Sequence, residues 1–502
     1  MSQLAPVPEG SRAAAAAAAA EVEVKEEEEN LVAAAVQGEH KKYCAEEVDK
    51  DAKSDVNGST WRLQQQQCGW QDTWALVTFL LVVGVSAAWG MTFALTGELT
   101  ESLQQLVEQL GADVLGRVTT AQVFVGFAMG VSTAGVCTAV VVLLLELAPT
   151  AAIVLSALLF SAVLLLLSVV AFDQAIVPIG ATLALMGLLQ VCWLCAVRSR
   201  IAFSAQLLAA ASAVMQQFPA LLCIPALLMI AFFGHLLWGV LVLHAAAKRM
   251  QRGDLAWMDG GLAATSVFSI VWVANLVSGV SRVTTGGVVG TRYFASSENL
   301  PHAPTWASFK RATTTSFGSV CLGALLNTVV SLLGWVCRLS LNTGSEFIDC
   351  CLVCVLSLLG CLVAYCNFYV YVQVALYGCG YVASARRTWR LWQKCACSAA
   401  FNDALVSTTL RVLEVGLAGV VAAVLACSVR SVALEVIVFL IFLFSLTCVL
   451  RVVSEVVHTL FVGFAELPDR LAASFPDLHA ALMASDDNFA AIHAHQRCAV
   501  PV

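Results

Sequence analysis

The sequence predicts an all-α, polytopic membrane protein with about ten transmembrane helices, interfacial helices and a disordered cytosolic N-terminal tail. Three observations carry this. Hydrophobic residues make up 59% of the 502 and charged residues only 12%, against about a quarter charged in soluble domains. The apolar residues form long unbroken runs rather than alternating, and such runs have the length a helix needs to cross hydrocarbon. The polar residues inside those runs gather on a few of them, above all on residues 271–294.

Residues 1–70 read as a polar tail with an Ala run, the acidic run Glu26–Glu29 and a Gln run, so the composition is that of a disordered segment. Its start carries no basic cluster and no apolar core, so no cleaved signal peptide is expected. The first span is expected at 74–95, followed by a polar segment that forms a short helix outside the membrane. Further spans follow at 121–147 (with a Gly126–Gly130 small-residue face), 151–171 and 174–197. Residues 201–217 are apolar but broken by glutamines, which predicts an interfacial helix. The fifth and sixth spans fall at 220–246 and 263–294, the seventh and eighth at 318–341 and 350–384, and the last two at 406–428 and 431–464. The transmembrane domain is thus 71–470, and 471–502 form a C-terminal tail. An even number of spans leaves both termini on one side. With that side cytosolic, nine basic residues flank the inner ends (Arg198, Arg200, Arg292, Lys310, Arg311, Arg386, Arg387, Arg390, Lys394) and six the outer (Arg117, Lys248, Arg249, Arg252, Arg338, Arg430), a positive-inside bias. The sequon at Asn57 then stays in the cytosol and unglycosylated. Most of the 19 cysteines lie in apolar runs and act as small hydrophobes. Cys350 and Cys351 are the one pair placed for oxidation.

Residues 271–294 mark the central helix of the bundle. They carry Asn275, Ser278, Ser281, Arg282, Thr284 and Thr285, then Gly286 and Gly287. Lipid penalises that polarity, so the helix faces protein or a watered cavity. Arg282, midway along it, calls for a counter-charge. Arg451, Glu455 and His458 share one face of the last span. They read as an ion pair with a polar tip, or as a proton- or ion-coupling element together with Arg282. The eighth span holds Tyr365, Asn367 and Tyr369 at depth. Aromatic faces attract quaternary ammonium, and with Trp89, Trp272 and Asn275 these residues would form a cage for a cation. The segment Arg386, Arg387, Arg390 and Lys394, with Trp389 and Trp392 between them, suits anionic headgroups, with Cys395 and Cys397 placed for acylation. No catalytic motif, cofactor fingerprint or metal-ligand set is legible, and the net charge of −7 offers nothing to nucleic acid.

Several stretches resemble the choline transporter-like family. The sixth span carries Trp272 and ends GGVVGTRYF, similar to a family helix that closes in Trp-Tyr-Phe, with Arg292 in place of the Trp. Residues 311–323, RATTTSFGSVCLG, resemble its Ser-Phe-Gly-Ser-Ile-Cys-x-Gly signature. Asn367–Val372 and Ala375–Gly378 look like its Asn-x-Tyr-Ala-Tyr-x-x-x-Ala-x-x-Gly helix, Ser384-Ala385-Arg386 its Ser-Ala-Lys, and Thr459–Glu466 its closing segment. The resemblance covers about residues 71–470 in order, and the short first outer loop is similar to the fungal and protist branch. It implies a ten-helix carrier of choline, with ethanolamine as a second substrate, in the plasma membrane or an organelle membrane. The expected binding cavity lies between the sixth, eighth and first spans. The alternative is a membrane scaffold or headgroup-handling protein that moves no solute.

Overall fold

The computed structural model describes residues 70–110, 120–253, 257–294, 303–340, 346–428 and 432–466, with 472, 475–476 and 478–480. The tail calls, the sequon at Asn57, and Arg117 and Arg430 lie outside them, as do the side chains of Cys350, Lys394, Cys395 and Cys397.

The described chain forms helices α1 (Thr73–Leu95), α2 (Glu98–Leu110), α3 (Thr120–Leu147), α4 (Pro149–Asp173), α5 (Val177–Ala196), α6 (Ile201–Gln217), α7 (Cys223–Arg252), α8 (Trp257–Phe294), α9 (Pro304–Thr313), α10 (Phe317–Ser340), α11 (Glu346–Tyr377), α12 (Tyr381–Ser428) and α13 (Val432–Glu466). Ten of these, all but α2, α6 and α9, are long and apolar enough to cross a membrane. Prolines set three starts: Pro149 and Pro304 open α4 and α9, and Pro178 lies in the first turn of α5, where the missing N–H costs no helical bond.

α8 is the hub. It packs against α1, α7, α9, α10, α11 and α13. Its small residues permit this, since a Cβ on Gly279 would stand 2.7 Å from Val320 and one on Gly286 2.9 Å from Ala375. The periphery is apolar and exposed, as at Leu155, Leu166, Leu185 and Leu188 on α4 and α5, which is the surface lipid covers.

One element differs from expectation. The basic segment at 386–394 is no separate piece, because α12 runs unbroken for 48 residues from Tyr381 through the ninth span. Between Tyr381 and Val415 there is no Gly or Pro to stop it. α6 buries Phe203, Leu207, Leu208, Ala211 and Val214 against protein, with α3, α4, α12 and α13 as neighbours.

Contacts between helix ends order those ends relative to one another. Asp72, before α1, bonds Ser319 of α10 and Tyr381 of α12. Glu466, ending α13, bonds Gln373 and Tyr377 of α11. At the other end of α1, Glu98 holds Arg249 of α7 at 2.8 Å. These pairings match the alternation of ten spans.

Candidate functional site

Two buried carboxylates organise the polar centre. Glu455 of α13, 1% exposed, accepts hydrogen bonds from Ser281 (3.1 Å) and Thr285 (2.9 Å) of α8. It faces two guanidinium groups, Arg282 and Arg451. Arg451 also donates to Ser278 at 2.8 Å, and Arg282 lies 4.4 Å over the Phe368 ring. The charge of Arg282 is thus answered by Glu455 and an aromatic face, as its depth demands.

Asp403 of α12 is the second. Its Oδ2 accepts from the hydroxyls of Tyr365 (2.7 Å) and Tyr369 (2.6 Å). Its Oδ1 lies 3.1 Å from His458 Nε2. The other ring nitrogen, Nδ1, is 2.5 Å from the Ser454 carbonyl oxygen, to which it can only donate. With Nδ1 committed as a donor, His458 meets Asp403 as a close charge contact when it carries a second proton, and Oδ1 receives no aligned hydrogen bond among the described residues. Aromatic rings enclose this group. The ring centroids of Tyr365 and Tyr369 lie 5.4 Å apart, that of Trp392 is 5.2 Å and 5.8 Å from them, and Phe368 lies tilted against His458 at 3.9 Å.

Of the residues marked as a cation cage in the sequence, Tyr365 and Tyr369 come together on a carboxylate. The others are placed elsewhere. Trp272 is fully buried, its indole donating to the Cys321 carbonyl at 3.1 Å and its ring wedged between Phe79 and Phe268. Trp89 packs with Phe93, Val242 and Ala245 in a separate cluster. Asn275 bonds Val271 and Thr328. Asn367 bonds the Gly323 carbonyl, Asn327 and the Tyr381 hydroxyl. The coupling residues divide: Arg282, Arg451 and Glu455 form one group, while His458 turns to Asp403. Sequence reasoning passes over Asp403, a lone acid in a mixed stretch. The available signal is two tyrosines at i, i+4 with an acid near the start of the next span.

The solvated hollow expected beside the sixth span is closed. A cavity of about 10 Å³ lies against Val283, Gly287, Ser308, Arg311 and Ser316, and another of about 10 Å³ against Val277, Ser281, Cys448 and Arg451. Each holds about one water. Among the described residues, the close glycine contacts of α8 hold its neighbours tightly against it.

At one end of the bundle the structure shows a clasp the sequence does not announce. Asp72 accepts from the Ser319 hydroxyl (2.6 Å) and the Tyr381 N–H (2.7 Å), and Gln71 donates its N–H to the Thr315 carbonyl (3.1 Å). The carboxylate thereby sits at the starts of α10 and α12, where helix N-termini favour negative charge.

This fold, with ten helices long and apolar enough to cross a bilayer and its buried charges turned between them, defines a multi-pass membrane protein. The family model described as plasma-membrane choline transporter matches residues 181–469, more than half of the chain, and the chain belongs to that family. Among its relatives, a CTL-like protein of Dictyostelium discoideum is 29% identical over 248 residues, 48% of this chain and 44% of that protein. Protein PNS1 of Gibberella zeae is 35% identical over 157 residues, 30% of this chain and 29% of the relative. Protein PNS1 of Cryptococcus neoformans is 30% identical over 212 residues, 37% of this chain and 38% of the relative. Each match thus spans less than half of the relative's length.

Proposed function

We propose that this protein carries choline-like organic cations, with ethanolamine as a second substrate, by alternating access. Asp403 is the anion that receives the cation, and Tyr365, Tyr369 and Trp392 supply aromatic faces. The observation that carries this reading is the state of the two carboxylates. Glu455 is already matched by two guanidinium groups, whereas the cationic partner of Asp403 among the described residues is one imidazole that can lose its proton. A quaternary ammonium replacing that proton keeps the site neutral, which makes proton exchange the natural coupling. A membrane potential serves as a second driving force, about 2.3 kcal/mol per charge per 100 mV. The closed packing is then an occluded conformer, and substrate enters when the clasp at Asp72 or the Glu98–Arg249 pair opens. The proposed setting is the plasma membrane, or else an organelle membrane, with 1–70 and 471–502 as cytosolic tails.

The test is uptake of labelled choline into proteoliposomes. Asp403→Asn is expected to lower uptake by about a hundredfold. The proton of His458 must leave toward the side from which substrate loads, so raising pH on that side raises uptake, and His458→Gln flattens this dependence. Absence of saturable wild-type uptake under an inside-negative potential would overturn the reading.

One observation favours the alternative, a protein that handles lipid headgroups. Arg386 and Trp389 are exposed, Trp389 by 62%, on a turn whose other side buries Ser384, Thr388 and Leu391. Scrambling of labelled lipid without choline uptake would select it.

A further inference from the structure

We infer that Trp392 determines specificity by donating its indole N–H to the hydroxyl of a hydroxyalkyl ammonium substrate. The inference rests on the cation-site reading above and adds to it the group that distinguishes one cation from another. Three observations meet at this residue. Its ring packs on both tyrosines that hold Asp403. Its Nε1 is buried and has no hydrogen-bond partner among the described residues. The hydroxyl protons of Tyr365 and Tyr369 are both committed to Asp403 Oδ2, so neither is available to a substrate oxygen while that carboxylate is held.

An indole N–H can only donate, and a buried donor left without an acceptor is disfavoured. Native interiors rarely keep one without a reason. Charge recognition does not need it, because Asp403 and the ring faces attract any quaternary ammonium equally well. What the N–H adds is a preference for a cation carrying an acceptor oxygen beside its charge. Sites that hydrogen-bond a substrate hydroxyl reject the analogue lacking it. One neutral hydrogen bond is worth about tenfold in affinity. Asn402, next to Asp403, also has both amide atoms buried without a partner among the described residues, but only Trp392 packs its ring on both tyrosines there, so Trp392 is the better-placed donor.

The experiment measures displacement of labelled choline from the full-length protein in proteoliposomes by choline and by ethyltrimethylammonium, the same cation without its oxygen. Wild type is expected to prefer choline about tenfold. Trp392→Phe keeps a ring face but removes the donor. It should hold ethyltrimethylammonium within about twofold of wild type and lose the choline preference, whereas Trp392→Ala weakens both ligands. A wild type without preference between the two cations overturns the inference whatever the variants do. So does a Trp392→Phe protein that keeps the preference, or one that weakens both ligands alike, as a packing residue would. Wild type that binds neither cation instead removes the cation-site reading beneath it.

Discussion

Arg282 shows how a charge deep in a bundle is tolerated. A bare guanidinium there would repel a cationic substrate, but Glu455 offsets part of its charge through space and Phe368 covers it. The pairing makes Glu455 structural rather than a free binding group, and this has a measurable consequence. Glu455→Gln leaves Arg282 and Arg451 facing a neutral amide, so the variant should lose roughly 3–5 kcal/mol of stability. Thermal unfolding in detergent checks it, and Arg282→Gln on the Glu455→Gln background should recover part of the loss. Unchanged stability of the single variant would show that Glu455 does not compensate the arginines.

At the level of helices, the clasp between the start of α1 and the starts of α10 and α12 explains a stretch of the signature. Ser319 is there to reach Asp72, and Gly318 is there because a Cβ would lie 2.2 Å from the Gln71 carbonyl oxygen. Backbone, unlike a side-chain tip, cannot turn aside. Gly318→Ala should therefore lift α1 off α10 and cost about 1–3 kcal/mol, read as a lower Tm. A cysteine placed at Asp72 should also become more accessible to a water-soluble thiol reagent in that background. No change in either readout would mean that the clasp yields without cost. α12 carries the second lesson. Its amphipathic start looks in the sequence like a separate lipid-facing piece, yet Trp392 turns its ring to α11 while Trp389 stays exposed. Two tryptophans three residues apart have different surroundings because the helix presents them to different neighbours, which no composition count reveals.

For the whole molecule, the contacts between helix ends set Asp72, Ser319, Tyr381, Glu466 and Gln373 at one end, and Glu98 with Arg249 at the other. In the proposed orientation, which rests on the excess of basic residues there, the first end faces the cytosol. Endoglycosidase treatment of protein expressed in eukaryotic cells should therefore leave its mobility unchanged, and an epitope at the N-terminus should be stained only after permeabilisation. A glycan on Asn57 would invert the orientation. Ten spans, the helical class and the hub role of residues 271–294 were legible without coordinates, because hydropathy and small-residue spacing are local properties that a bilayer converts directly into helices. The family was legible too, through motifs that keep their order. The site was legible only in part. Tyr365 and Tyr369 stood out as deep aromatics, but Asp403 lies 34 residues beyond Tyr369, and Glu455 lies 174 beyond Ser281. Which carboxylate meets which cation, and that Trp272 and Trp89 are wedges elsewhere, depends on how helices cross. Crossings are chosen by the close approach of side chains from distant segments, so only the folded bundle decides them.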